Sequence, residues 1–291
     1  MSDAVLITGC STGLGLETAL HLAERGFAVY ATVRDGAQRP AVLAAAAERG
    51  VELRALELDL TDSSSVERAV GEVVAEAGAL FGLVNNGGIG LRGCLEDVSP
   101  EEVRRVFEAN VFGTIAVTQA VLPHMRAAGR GRIVTITSVG GRISAFGVGV
   151  YCASKFAQEG LGEALALEVA PFGIQSVLVE PGMIKTTRWS EHRGTAARAL
   201  DPDSPYRELF RESEAMADRI VERSRTRPAD VAAAVHHALS TDKPRMRYVV
   251  GRPASVVVAL RRYLPAGVFE RLYFGSFLRR IRRRALAVEP R

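Results

Sequence analysis

Cysteine is scarce in this chain. Cys10, Cys94 and Cys152 are scattered and odd in number, so no disulfide framework is expected and a reducing, cytoplasmic setting is implied. The five histidines (His21, His124, His192, His236, His237) show no metal-ligand spacing with cysteines or acids, so no metal site is expected. The opening residues MSDAVLITG lack a basic segment and a long apolar core, and no secretory leader is expected. No charge-free apolar window reaches the roughly 18 residues of a spanning helix, so no transmembrane helix is expected. A basic body is missing too. The net charge is +4, but residues 279–291, RRIRRRALAVEPR, hold six Arg and one Glu. Residues 1–278 then carry 31 basic and 32 acidic side chains, a near-neutral body that argues against nucleic-acid binding.

What remains is an ordinary globular composition, 47% hydrophobic and 24% charged, over a 291-residue length that suits one large α/β unit or two small ones. Short apolar runs fit for buried parallel strands recur at 4–8, 27–33, 51–58, 80–84, 131–138, 174–180 and 247–251. Helical stretches lie between them. One runs from about 13 to 25, a second starts at Pro40 and stops at Gly50, and a third is capped by Asp62 and runs to 77. Ser99-Pro100-Glu101-Glu102 is a strong helix start, and the pattern then runs to 127 with a break at Asn110. Further helices are expected at 150–170, 204–223 and 228–240. Seven strands alternating with helices predict a doubly wound, mostly parallel sheet with helices on both faces.

Three stretches carry chemistry. Gly9-Cys10-Ser11-Thr12-Gly13-Leu14-Gly15 follows the first strand and opens the first helix, where glycines let backbone approach a pyrophosphate and the helix N-terminus attracts its charge. Gly9, Ser11 and Gly13 also spell G-x-S-x-G, a hydrolase nucleophile elbow. That elbow normally follows several strands and an oxyanion loop, whereas eight residues precede it here, so a Ser11 hydrolase is the weaker alternative. At the end of the second strand Val33 stands where an acid would take the ribose hydroxyl of NAD, and Arg34 follows, which favours NADP(H) over NAD(H). Tyr151 and Lys155 lie four residues apart on a helix, on one face, so a fixed ammonium favours the phenolate and makes the phenol a usable acid and base.

In order and spacing, TGxxxGxG at 8–15, NNGG at 85–88, Asn110, Ser138, YxxxK at 151–155 and Pro181-Gly182 resemble the short-chain dehydrogenases/reductases over residues 3–251. TGCSTGLG, VYATVRD and VYCASKFAQEGL are similar to the branch of type 1 17β-hydroxysteroid dehydrogenase and the retinol dehydrogenases. One departure is Gly87, where the family motif NNAG has Ala. The resemblance implies a Rossmann-type catalytic domain at 1–251, with a substrate lid at 187–227 and a basic helical extension at 252–291. It implies that Tyr151 passes the proton, that Lys155 holds the nicotinamide ribose, and that Ser138 donates to the substrate oxygen. Asn110 would hold a water linking Lys155 to solvent. Gly9, Ser11, Thr12, Gly13, Leu14, Gly15, Arg34, Asp59, Leu60, Asn86, Gly87, Pro181, Gly182, Ile184 and Thr186 would line the cofactor, with Asp59 at the adenine. The implied partners are a bulky apolar alcohol or carbonyl compound, steroid- or retinoid-like, and a second copy of the chain in a dimer or tetramer through 99–127 and 150–170. A cofactor-binding protein without catalysis is the alternative from another class, and the intact Ser138/Tyr151/Lys155 set argues against it.

Within the lid, Leu209, Phe210, Met216 and Ile220 are expected to form an apolar inner face. In the extension, Pro265 is expected to divide two short helices whose apolar and basic residues suit peripheral contact with an anionic membrane.

Overall fold

In a parallel strand buried on both faces, side chains alternate between two cores. The computed structural model describes residues 2–186 and 194–288. Its strands are β1 (Ala4–Ile7), β2 (Ala28–Val33), β3 (Arg54–Glu57), β4 (Gly82–Asn85), β5 (Gly131–Ile136), β6 (Ile174–Pro181) and β7 (Arg247–Val250). They form one parallel sheet in the order β3-β2-β1-β4-β5-β6-β7. The register Val5↔Val29 and Val5↔Gly82 sets β1 between β2 and β4. The helices are α1 (Gly13–Ala23), α2 (Arg39–Glu48), α3 (Ser63–Ala77), α4 (Pro100–Phe107), α5 (Gly113–Ala127), α6 (Gly149–Val169), α7 (Arg207–Glu222), α8 (Pro228–Ser240), α9 (Arg252–Tyr263) and α10 (Ala266–Val288).

Val5 and Ile7 enter one core with Val29, Val84 and Val134, under Ala19, Leu22, Val231 and Val235 of α1 and α8. Leu6 enters the other with Leu83 and Ile133, under Val66, Val70, Val117, Val121 and Met125 of α3 and α5. Each fully buried aliphatic side chain of this kind is worth about 1.5–3 kcal/mol. Burial on both faces is why the strands read as continuous apolar runs.

Local chemistry sets the helix ends. Ser99 Oγ accepts from Glu102 N at 3.2 Å while Glu102 Oε2 accepts from Ser99 N at 2.9 Å, a complete capping box at α4. Asp62 Oδ1 caps α3 by accepting from Ser64 N at 2.9 Å. The break expected at Asn110 is a π turn, Glu108–Phe112, between α4 and α5. The stretch Pro100–Ala127 is long and apolar enough to cross a membrane by length and composition alone. Half of that window is buried inside the fold, as in a core helix.

Three expectations need adjusting. The third strand is only Arg54–Glu57, because it pairs with β2 alone, from Tyr30↔Arg54 to Val33↔Glu57. Ile220 faces outward, and Val221 of α7 faces inward with Phe210, because one residue turns a helix by about 100°. The second helix after Pro265 is not short, since α10 runs 23 residues. Residues 187–193 of the expected lid and 289–291 of the tail lie outside the described residues. The rest of the lid region is anchored. Phe210 is buried with Leu91, Val106 and Val150, Ser204 Oγ donates to Asp97 at 2.8 Å, and Arg92 pairs with Glu214 at 3.0 Å.

Candidate active site

Strand order reverses between β1 and β4, and ligands in open α/β sheets bind at such a point, beyond the strands' carboxyl ends. The loops after β1 and β4 meet there. Gly9 has φ of +71°, and a Cβ on it would lie 2.7 Å from Gly87 Cα. A Cβ on Gly15 would lie 2.2 Å from Gly9 O and 2.4 Å from Asn86 Nδ2. Only glycine lets these segments come so close. Thr8 Oγ1 accepts from Asn86 N at 3.0 Å and Gly87 N at 2.9 Å. Asn86 Nδ2 donates to Thr8 O at 2.8 Å and Gly9 O at 2.9 Å. Thr12 caps α1 without a side-chain hydrogen bond, and the first turn holds no acid, so the helix terminus faces the loop as an electropositive end. This cradle fits a pyrophosphate, with Ser11 and Thr12 leading into Gly13 and Leu14.

At the neighbouring strand ends, Val33 is fully buried and Arg34 is exposed. Asp35 Oδ1 accepts from Ala37 N at 2.9 Å and caps the turn Gly36–Gln38, so this carboxylate serves the turn. Glu57 Oε2 accepts from Gly36 N at 3.1 Å. Asp59 Oδ1 accepts from Thr61 N at 2.9 Å and Thr61 Oγ1 at 2.8 Å. Leu60 packs under Gly87, where a Cβ would lie 2.7 Å from Leu60 Cδ1. The missing methyl of Ala at position 87 is thus space that Leu60 fills. Beyond β6, Gly182 N donates to Val250 O at 2.9 Å, Ile184 is buried, and Thr186 precedes the undescribed segment.

The catalytic candidates converge beside this cradle. Ser138 follows β5, and its Oγ accepts from Gly140 N at 2.9 Å, so the hydroxyl hydrogen can turn to another oxygen. A Cβ on Gly140 would lie 3.3 Å from Ser138 Oγ, 3.3 Å from Cys152 Sγ and 3.5 Å from Tyr151 Cε1, so Ser138 and Tyr151 border one small space. Lys155 Nζ sits 5.9 Å from the Tyr151 ring centroid and donates to Ile136 O at 3.1 Å and Gln158 Oε1 at 2.8 Å. Asn110 Oδ1 accepts from Ile89 N at 2.7 Å, while its Nδ2 donates to Ile89 O at 2.9 Å and Ser154 Oγ at 3.0 Å. Ser154 Oγ in turn donates to Tyr151 O at 2.7 Å.

The thiols nearby are poor nucleophiles. All three cysteines are free and buried, and burial pushes Cys10 up to about 12 and Cys94 up to about 11. Burial, then the adjacent Glu159 carboxylate, push the Glu180 carboxyl up, against the pull of Arg142 at 3.0 Å and Arg247 at 3.1 Å. Among the described residues, no group of three metal-ligating side chains gathers.

Ser154 and Gln158 join the site without having been singled out in the sequence, and Thr8, read only as the first residue of the glycine motif, ties that loop to Asn86 and Gly87. Gln158 lies three residues after Lys155, a helical neighbour spacing, and that was its one local signal.

The short chain dehydrogenase family model matches residues 3–196. Human 17-beta-hydroxysteroid dehydrogenase type 1 is 38% identical over 271 residues, covering 90% of this chain and 82% of that protein. The 3-ketodihydrosphingosine reductase of Bacteroides thetaiotaomicron is 38% identical over 255 residues, covering 88% of this chain and 90% of that protein. Among solved structures, an F189W variant of actinorhodin polyketide ketoreductase with NADPH superposes with a TM-score of 0.73 at 30% identity, over 85% of this chain and 95% of that one.

Proposed function

The chain belongs to the short-chain dehydrogenase/reductase family and is an NAD(P)-dependent oxidoreductase. From that premise we propose that it interconverts an alcohol and a ketone or aldehyde on a bulky apolar substrate, using NADP(H) and Tyr151 as acid and base. The observation that carries this reading is the convergence of Ser138 and Tyr151 on one space, with the Lys155 ammonium 5.9 Å from the Tyr151 ring. Family membership removes the hydrolase reading of Ser11.

When bound, the nicotinamide supplies or accepts the hydride. The chain's own residues do the rest. Gly9 through Gly15, with the α1 terminus, hold the pyrophosphate, and Asn86 and Gly87 fix the loop beside it. Asp59 and Leu60 would border the adenine, and Pro181, Gly182, Ile184 and Thr186 would lie along the nicotinamide. Ser138 donates to the substrate oxygen, and Tyr151 gives that oxygen its proton in reduction or takes it in oxidation. The Lys155 cation favours the phenolate and holds the ribose.

NADP(H) is favoured because Arg34 is exposed at the β2 end while Asp35 is engaged by its turn. The apolar substrate is supported by two apolar groups on this side of the fold. Phe210 of α7 meets Gly147, and Phe269, Tyr273 and Phe274 of α10 form an aromatic group, with Tyr273 close enough to feel Cys152. The names of the relatives, a 17-beta-hydroxysteroid dehydrogenase and a 3-ketodihydrosphingosine reductase, point the same way. In an assay of NADPH oxidation over steroid, retinoid and long-chain ketones, at least one compound is expected to turn over. Arg34→Ala is expected to raise the KM for NADPH roughly 10- to 100-fold, the worth of a charge-assisted bond, and to leave NADH almost unchanged. Silence across the panel would sink the substrate class, and equal loss for both cofactors would remove Arg34 from the phosphate.

A second copy is proposed along the π turn, α5 and α6, where Phe112, Phe156, Leu161 and Leu167 are exposed. A monomer in sedimentation equilibrium would contradict it. Peripheral membrane contact is proposed for α9 and α10. Val256, Leu260 and Tyr263, at helical spacing, are exposed on α9, Val268 and Leu272 are exposed on α10, and Arg261, Arg262 and Arg271 of the same helices are exposed too. An anionic lipid surface matches that charge, at about 1 kcal/mol per Arg near the surface. Deleting 279–291 is expected to lower cosedimentation with phosphatidylserine vesicles at least about fivefold. Undiminished cosedimentation would leave the tail without this role.

A further inference from the structure

We infer that Gln158 is a positioning residue for Lys155, standing where the family resemblance places a water between Lys155 and Asn110. The inference rests on the reading of Tyr151 and Lys155 as the acid–base pair. Gln158 is buried, 2% exposed, on the turn of α6 after Lys155. Its Oε1 accepts from Lys155 Nζ at 2.8 Å. Its Nε2 donates to the main-chain oxygen of Asn110 at 2.6 Å and to Thr114 Oγ1 at 3.0 Å.

The amide can sit only one way round. Flipped, its NH2 would face the Lys155 ammonium, donors against donors, and its oxygen would face the Asn110 carbonyl, acceptor against acceptor. The carbonyl it reaches lies within the π turn Glu108–Phe112, and such turns are irregularities of the helical ladder. Thr114 Oγ1 also donates to that oxygen, at 2.8 Å, so two side-chain donors meet on it. The Asn110 side chain is itself occupied by Ile89 and Ser154. The turn therefore holds Gln158, and Gln158 holds the ammonium.

Two consequences follow. A buried ammonium, 5% exposed, needs acceptors to remain charged, and Gln158 Oε1 with Ile136 O provides them. An amide does not titrate, so the link to Asn110 fixes Lys155 without neutralising it, and the full charge stays beside the Tyr151 ring. Among the described residues, ionisable groups nearby include Cys152 on α6, Tyr273 of α10 close to Cys152, and Glu159. Glu159 turns away to Thr137 at 2.6 Å and Arg247 at 3.0 Å, beyond which lies Glu180.

Gln158→Glu keeps the shape and the acceptor and adds a negative charge, while Asn110 O keeps Thr114. Gln158→Met keeps the length and removes both polar ends. The ionisation of Tyr151 is read without substrate, as the pH-dependent tyrosinate absorbance of each protein minus that of its Tyr151→Phe counterpart. Gln158→Glu is expected to move the Tyr151 midpoint up by about one pH unit, because a carboxylate beside Lys155 offsets its field. Gln158→Met is expected to lower NADPH-dependent turnover of the fastest ketone of the panel about tenfold, and Gln158→Glu to recover part of that rate at high pH. An unmoved midpoint in Gln158→Glu, with its melting temperature preserved, would overturn the inference even if Tyr151→Phe is inactive. An active Tyr151→Phe enzyme would instead overturn the acid–base reading, whatever the Gln158 variants do.

Discussion

Tyr151→Phe is expected to lower kcat/KM by about a thousandfold while leaving the Kd for NADPH within about twofold. Phenylalanine keeps the ring that lies 5.9 Å from Lys155 Nζ and borders the space over Gly140. It removes one oxygen. If that oxygen carries the proton to the substrate, the loss falls on the transition state, because the cofactor contacts proposed above at the Gly9–Gly15 loop, at Asn86 and at Lys155 are left in place. Fluorescence titration of NADPH and steady-state turnover separate the two effects. Retained turnover would mean that another group protonates the oxygen. Ser138 would be next in line, since its Oγ accepts from Gly140 N and keeps its hydrogen to give.

Gly15→Ala is the second large effect. An exposed glycine in the middle of a helix usually gains stability on becoming alanine, because the unfolded chain loses freedom. Gly71 of α3 is such a case, exposed with open space around its would-be Cβ, and Gly71→Ala is expected to add about 0.5–1 kcal/mol. Gly15 reverses the sign. Its methyl would lie 2.2 Å from Gly9 O, a backbone atom that cannot swing aside, and 2.4 Å from Asn86 Nδ2. The loop must then move and break the Asn86 bonds to Thr8 and Gly9. Gly15→Ala is therefore expected to cost about 3 kcal/mol or more in stability and to weaken NADPH at least about a hundredfold. Chemical denaturation of the two alanine variants side by side checks the contrast. A Gly15→Ala protein as stable as Gly71→Ala would show that the loop yields more easily than its contacts indicate.

How legible these features were depends on the range of the forces behind them. The capping box at Ser99 and Glu102 and the cap at Asp62 are local, so the sequence pointed directly to both helix starts. Short continuous apolar runs placed the strands, and pairing set their ends, as in β3, which has one partner. The motif at 151–155 could be placed on a helix, and the break at Asn110 was visible as an interruption. What could not be seen is which group the interruption serves. Gln158 meets Asn110 across 48 positions of sequence, and no periodicity carries that information. Ile220 and Val221 are both apolar neighbours, and only the docking of α7 through Phe210, on the face that Val221 shares, chose the second. The long run of α10 was hidden by its arginines, which look like a solvated end yet are good helix formers.

The knot of hydrogen bonds around Thr8 has a consequence for how this protein comes into being. Thr8 meets Asn86 and Gly87 across 78 and 79 positions, so the nucleotide cradle does not exist until β1 and β4 lie side by side. A nascent chain must have delivered β4 before it can recognise its coenzyme, and closing so long a loop is slow compared with forming any one of its helices. Once the strands have met, the coenzyme favours the paired sheet over every open form. A hundredfold excess over its Kd adds about 2.7 kcal/mol to the folded state. A bound nicotinamide coenzyme would thus act on this chain as a folding ligand as well as a reactant.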